Sequence, residues 1–222
     1  TQFFIGHSSW LASAAGVLIG AVLLWDLLFR SQIGFSMCFL EEMWSRNLGH
    51  LFVSPLRPHE FIISMMVVSC LRGFFGLLPS WILAFVFFEF SILSYGLGIV
   101  AFFSCLMVMG WALGMIVIAL VLRFGLGAES LAWVAIFAFA PISAVYYPVE
   151  TLPAWLQIVA WCTPSAYVFE GMRSVLIDDI FRYDLLLGAI LVNIIYLFAG
   201  IFVFSFSFLG ARKQGKLLQT GE

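Results

Sequence analysis

Residues 92–122 read I-L-S-Y-G-L-G-I-V-A-F-F-S-C-L-M-V-M-G-W-A-L-G-M-I-V-I-A-L-V-L, a run without one Asp, Glu, Lys, Arg or His. A helix rises about 1.5 Å per residue and the hydrocarbon layer is about 30 Å thick, so about 20 apolar residues are enough to cross it. This run exceeds that length, and it is bounded by Arg123 rather than by a turn signal. It reads as a transmembrane helix. Four more stretches meet the same criterion, at residues 10–29, 61–88, 131–147 and 185–209. The expected fold is therefore an all-α integral membrane protein with five visible transmembrane helices.

Composition agrees. Of 222 residues, 64% are apolar or aromatic and 10% are charged, whereas a soluble domain carries about 25% charged residues. Twenty-five Phe and eight Trp exceed what one aqueous core can hide, because such cores stop growing with chain length. The net charge of −2 and the lack of a clustered basic face argue against nucleic acid as a partner. Cys38, Cys70, Cys105 and Cys162 are too widely spaced for a zinc knuckle or a disulfide frame and read as small hydrophobes.

Basic residues in short loops stay on the cytoplasmic side of a membrane. Arg30, Arg46 and Arg57 collect in the first loop, Arg123 in the third, and Arg212, Lys213 and Lys216 in the tail. The opposite side holds Arg173 and Arg182 beside Glu89, Glu150, Glu170, Asp178, Asp179 and Asp184. The first loop, the third loop and the C-terminus are thus expected inside. Five spans then put Thr1 outside, and a sixth span before it would restore the usual arrangement.

The first loop, E-E-M-W-S-R-N-L-G-H-L-F-V-S-P-L-R-P-H-E over residues 41–60, is more than a connector. Leu40, Met43, Trp44, Leu48, Leu51 and Phe52 recur at steps of three and four, while Glu41, Glu42, Arg46 and His50 take other faces. That spacing predicts one amphipathic helix on or under the membrane. Ser54-Pro55 and Arg57-Pro58 end it, since the residue before a proline is pushed out of the helical region. Taken alone, such a helix could simply rest on lipid headgroups.

Glu41, Glu42, Arg46, Gly49, Leu51, Ser54, Pro55 and Leu56 resemble the segment after the second span in the transmembrane subunits of ATP-binding-cassette (ABC) exporters of the type-2 permease family. The family's Glu-Arg-Glu-x-Gly core is loosened here to E-E-M-W-S-R-N-L-G. A second stretch resembles the same family: Tyr147-Pro148-Val149-Glu150-Thr151-Leu152-Pro153-Ala154-Trp155-Leu156, then Thr163-Pro164-Ser165-Ala166-Tyr167, then Glu170-Gly171-Met172-Arg173. The resemblance implies that Pro148, Pro153, Trp155, Pro164, Tyr167 and Glu170 belong to extracytoplasmic re-entrant helices. The three prolines agree, because proline ends one short helix and starts the next. Trp155, Trp161 and Tyr167 suit a membrane interface.

The resemblance further implies one permease domain over residues 1–222, N-terminally incomplete, with six spans in the full chain. It implies a homodimer forming the export path in a bacterial plasma membrane, with lipid around it. A separate cytoplasmic ABC ATPase would bind ATP and magnesium and would dock on a coupling helix carrying Glu41, Glu42, Trp44, Arg46, Leu48 and Gly49. This chain would itself be no enzyme and hold no cofactor. Phe85, Phe87, Phe88, Phe102, Phe103, Trp111, Phe137 and Phe139 either face lipid or line a route for cargo, which is open among glycan, lipid and drug.

Asp26, Arg30 and Arg72 stand inside apolar spans, where an unpaired charge costs about 3 kcal/mol or more. Asp26 and Arg30, spaced i, i+4, can pair within one helix. Counting back from Glu41 puts Asp26 about 22 Å up its helix, and counting forward from Glu60 puts Arg72 about 18 Å up the next, so a cross-helix pair in which these two face each other is the alternative. Gly16-x-x-x-Gly20 and Gly110-x-x-x-Gly114 let helix backbones approach closely.

Residues 210–217 imitate a phosphate-binding loop, but a membrane span precedes them and Leu217 replaces the required hydroxyl. His50, His59 and Glu60 lack a further metal ligand nearby, and no catalytic constellation can be assembled. The rival class is an ion-driven secondary transporter or channel, which would need a charge relay and internal repeats. Asp26 with Arg72 is a poor relay, and no repeat is visible.

Overall fold

The computed structural model describes residues 9–53, 57–88 and 97–213. Ser54, Pro55, Leu56, Glu89, Lys216 and Leu217, named above, lie outside the described residues. The order is α1 Ser9–Trp44, α2 Leu48–Val53, α3 Pro58–Phe88, α4 Leu97–Phe124, α5 Leu131–Phe139, α6 Ala154–Trp161, α7 Pro164–Asp178 and α8 Tyr183–Lys213, with 3-10 turns at Leu126–Ala128 and Val149–Thr151. Among the described residues there is no strand, and four helices, α1, α3, α4 and α8, are long and apolar enough to cross a membrane.

Helix α4, the described part of the chargeless run, is the core of the bundle. Its apolar window is 72% buried, against 17% for that of α8, because α4 packs against both α8 and α1. Around Phe102, Leu106 and Met109 gather Leu24, Leu27 and Leu28 of α1 with Phe169 and Met172 of α7. Phe35 and Phe39 of α1 join Phe61 of α3, Ile118 of α4 and Phe208 of α8 in a second cluster. Close approach needs glycine: a Cβ at Gly110 would lie 2.7 Å from the Ser31 Cβ, and one at Gly200 would lie 2.9 Å from the Ala112 carbonyl. The outer faces of α3 and α8, with Phe75, Phe85, Phe198, Phe202 and Phe206, stay exposed where lipid can cover them. Phe87 and Phe137 are exposed too, while Phe102 and Phe103 are buried.

Two boundaries depart from the sequence expectation. The first span does not end at Phe29: α1 runs unbroken to Trp44, about 54 Å long. The polar stretch that resembles a loop is internal packing, with Ser31, Gln32 and Ser36 all buried. Ser31 Oγ donates to the Met107 carbonyl (2.9 Å), and Ser69 Oγ donates to the Ser31 carbonyl (3.0 Å). Small polar residues are what helix contacts in a membrane use, so here they do not signal an exit from it.

The other departure is at residues 131–147, where α5 has nine residues, about 14 Å, less than half of what a span needs. Pro141 brings no N–H for the Phe137 carbonyl, which accepts from Ala140 instead (3.3 Å). Ala144 then turns the chain with φ 52°.

Candidate functional site

Charge sorts the bundle into two ends. Leu48 of α2, Phe61 near the start of α3, Leu122 near the end of α4 and Ala211 near the end of α8 share one cluster. Arg46, Arg57, Arg123, Arg212 and Lys213 therefore lie toward one end, whereas Arg30, expected in the same loop, sits inside α1 near the middle of the bundle. Arg173, Arg182, Glu170, Asp178 and Asp184 lie on α7, on α8's first turn or between them, toward the other. Arg182 donates to Asp184 through Nη2 (2.5 Å), and that carboxylate raises the arginine's pKa further.

At the first end the expected single amphipathic helix is two pieces. Helix α1 stops at Trp44, residues 45–47 turn the chain, and α2 starts at Leu48. The break is at Arg46, held at φ 58°, a left-handed conformation that ends a helix. Asn47 Nδ2 donates to Glu42 Oε2 (2.6 Å) and closes the elbow. The apolar stripe is divided too, with Leu40 and Leu48 buried and Trp44 45% exposed. Periodicity missed this because Ser45-Arg46-Asn47 interrupts no apolar position. Of the six residues named for coupling, Glu41, Trp44 and Arg46 are exposed, Glu42 and Gly49 are half-buried, and Leu48 anchors the elbow in the core. Trp44 Nε1 also donates to Glu129 Oε2 (3.3 Å), tying the first loop to the third.

Of the two partners the spacing leaves open to Asp26, the structure pairs it with Arg30 and not with Arg72. Arg30 Nε donates to Asp26 Oδ2 (2.8 Å) within α1. Arg72 Nη1 and Nη2 donate to Glu41 Oε1 (2.8 Å) and Oε2 (2.6 Å). The depth count failed because it ignored side-chain direction. Side chains lean toward the N-terminus of their own helix, so on antiparallel α1 and α3 those of Glu41 and Arg72 converge from levels far apart. Both are 45% exposed.

At the other end, α6 and α7 form a hairpin joined at Cys162-Thr163. Pro153 precedes α6, Pro164 opens α7, and Pro148 precedes the Val149–Thr151 turn. Trp155 is exposed, whereas Tyr167 packs edge-on against Trp161 at 4.9 Å. Glu170 Oε1 accepts from the Val149 N–H (2.6 Å) and lies 3.0 Å from Arg173 Nη1. The residue that organises this end is Arg173, which the sequence offered as a counted charge and as the last residue of the family-like stretch, without a structural role. Its Nη2 donates to the carbonyls of Ala144, Val145 (3.2 Å) and Tyr147 (2.7 Å). A cation three residues after Glu170 on an apolar helix was the available signal. Ser165 Oγ bonds to Ser143 Oγ (3.0 Å) beneath it.

Among the described residues no group of three or more His, Cys, Asp or Glu is placed to hold a metal. What the arrangement offers is mechanical: a rigid rod with an exposed elbow at one end and a polar clasp at the other. Residues 2–177 match the family model of the ABC-2 type transporter. No curated protein matches the chain.

Proposed function

The chain belongs to the ABC-2 type transporter family and is the permease subunit of an ABC exporter, and on that premise we propose that its elbow is the place where a separate ATPase drives it. Family members work with ABC ATPases, so ATP and magnesium belong to that partner. The observation that carries the proposal is the form of α1, one unbroken helix ending in an exposed Trp44-Ser45-Arg46 turn. A displacement applied at residues 41–44 passes along the whole rod without a break to absorb it. Glu41 spreads the same push to α3 through Arg72.

In this reading the elbow end, rich in Arg and Lys, is cytoplasmic, in a bacterial plasma membrane. Helix α5 and the turns after it complete a fifth crossing, the α6–α7 hairpin re-enters from outside, and two copies enclose the path. Opening inside and then outside follows as paired ATPases close and release.

Co-purification of the full-length chain with its candidate ATPase tests the coupling site. Wild type retains the ATPase, and Trp44→Ala combined with Arg46→Glu loses it while its elution profile stays that of the wild type. Retention of the ATPase by the double variant sinks the assignment of the elbow.

A further inference from the structure

Beside Asp26 and Arg30 lies an open cavity of about 350 Å³ between α1, α3 and α5. Trp25, Phe29 and Phe137 supply its aromatic walls, and Ser80 of α3 adds a hydroxyl. The ion pair is not sealed in, since the side chains of Arg30 and Asp26 are 37% and 25% exposed. It also lies deep. Ser31 bonds to Met107 and packs on Gly110, both close to the midpoint of α4, so Arg30 sits near the middle of the bundle. Charges half-open at that depth are unfavourable against hydrocarbon. Something polar belongs there.

The unused bonding capacity says what. Arg30 commits Nε to Asp26, and its two Nη groups find no acceptor among the described residues. They are held in place sterically, because the guanidinium lies across Gly76, where a Cβ would come 2.6 Å from Nη1. Two parallel N–H groups on a fixed plane match a phosphate. Asp26 keeps Oδ1 for a cation, and three aromatic rings nearby suit an ammonium. The pair is neutral as a whole, so a ligand bearing both signs fits without leaving net charge in the membrane. The cavity opens past Val22 and Phe137, both exposed, toward the side where acyl chains lie.

We propose that this groove binds the head of a zwitterionic phospholipid, with the phosphate on Arg30 and the ammonium on Asp26. The aromatic walls carry the first part of the lipid chains. Head capture at mid-depth is what a groove handling lipid between leaflets requires. The site is independent of the export reading, because its test uses neither ATP nor a partner.

Native mass spectrometry of the full-length chain in detergent, titrated with phosphatidylethanolamine, phosphatidylglycerol or chain-free glycerophosphoethanolamine, tests the proposal. Wild type is expected to form a one-to-one adduct with phosphatidylethanolamine and to bind the other two less. Arg30→Gln weakens that adduct about tenfold, the scale of one charge-assisted contact. Asp26→Asn, nearly isosteric, removes the preference over phosphatidylglycerol while keeping affinity for phosphate. Since Arg30→Gln strands a carboxylate, the neutral Asp26→Asn/Arg30→Gln pair is the second variant, and it must lose the adduct as well. Equal adducts in wild type and this pair, no preference among lipids, or equal binding of the chain-free head overturns the proposal.

Discussion

Arg173→Met removes the clasp at the hairpin end, and its cost follows from the bonds lost. Nη2 reaches the carbonyls of Ala144, Val145 and Tyr147, and Nη1 sits 3.0 Å from Glu170. Arg173 is 8% exposed, so water cannot replace it freely. Each hydrogen bond from a charged donor is worth about 1.5–3 kcal/mol, and breaking a buried ion pair from one side costs about 3–5 kcal/mol. Hydrogen bonds within membranes run weaker, about 0.6 kcal/mol on average, so the low end, about 3 kcal/mol, is the expectation. At about 2–4 °C per kcal/mol for a chain of this size, the midpoint falls by about 6–12 °C.

Heating the detergent-solubilised chain and measuring the surviving monodisperse peak reads that shift. Arg173→Lys keeps the charge as a point donor without the fork and should lose about half as much. Arg173→Met with Glu170→Gln should recover part of the loss, because the stranded carboxylate is gone while the amide oxygen that replaces it can still accept from the Val149 N–H. An Arg173→Met midpoint within about 2 °C of wild type, or full additivity in the double variant, would refute the clasp.

In a double-mutant cycle, Asp26→Asn and Arg72→Gln should add independently. Glu41→Gln and Arg72→Gln should instead couple, by less than about 1 kcal/mol because the pair is half exposed; coupling in the first cycle alone would reverse the assignment. Gly110→Ala drives a Cβ to 2.7 Å from Ser31 and should cost about 1–3 kcal/mol as overpacking. Gly73→Ala, with nothing within 4 Å, should be neutral or stabilising by up to about 1 kcal/mol. Equal thermal midpoints for those two variants would contradict the helix contact.

Much of the molecule was legible before any coordinate. Hydropathy found α3, α4 and α8, because in lipid every backbone group must be satisfied within the helix and apolar length is nearly sufficient to define a span. The Gly110 and Gly114 spacing marked a close contact, and charge counting separated the two ends. Motif resemblance identified the family through Glu41 to Leu56 and Tyr147 to Arg173.

Failures came where a side chain's role depends on a neighbour. Ser31, Gln32 and Ser36 look like a loop until α4 is placed against them. Arg46 is an ordinary charge until its backbone turns left-handed. At residues 131–147, enough apolar length was present, yet Pro141 and the carbonyls gathered by Arg173 stop the helix after nine residues.

The sequence by itself determined that this is a helical membrane protein, which end carries the basic residues and which family it joins. These properties depend on composition, helical period and local motif, all additive along the chain. Only the tertiary structure decided that Arg72 meets Glu41, that an open groove lies beside the Asp26–Arg30 pair, and that Arg173 clasps three carbonyls far behind it in the chain. Those pairings are set by helix direction, side-chain lean and the room left by Gly76 and Gly110, and such quantities exist only once two helices are side by side.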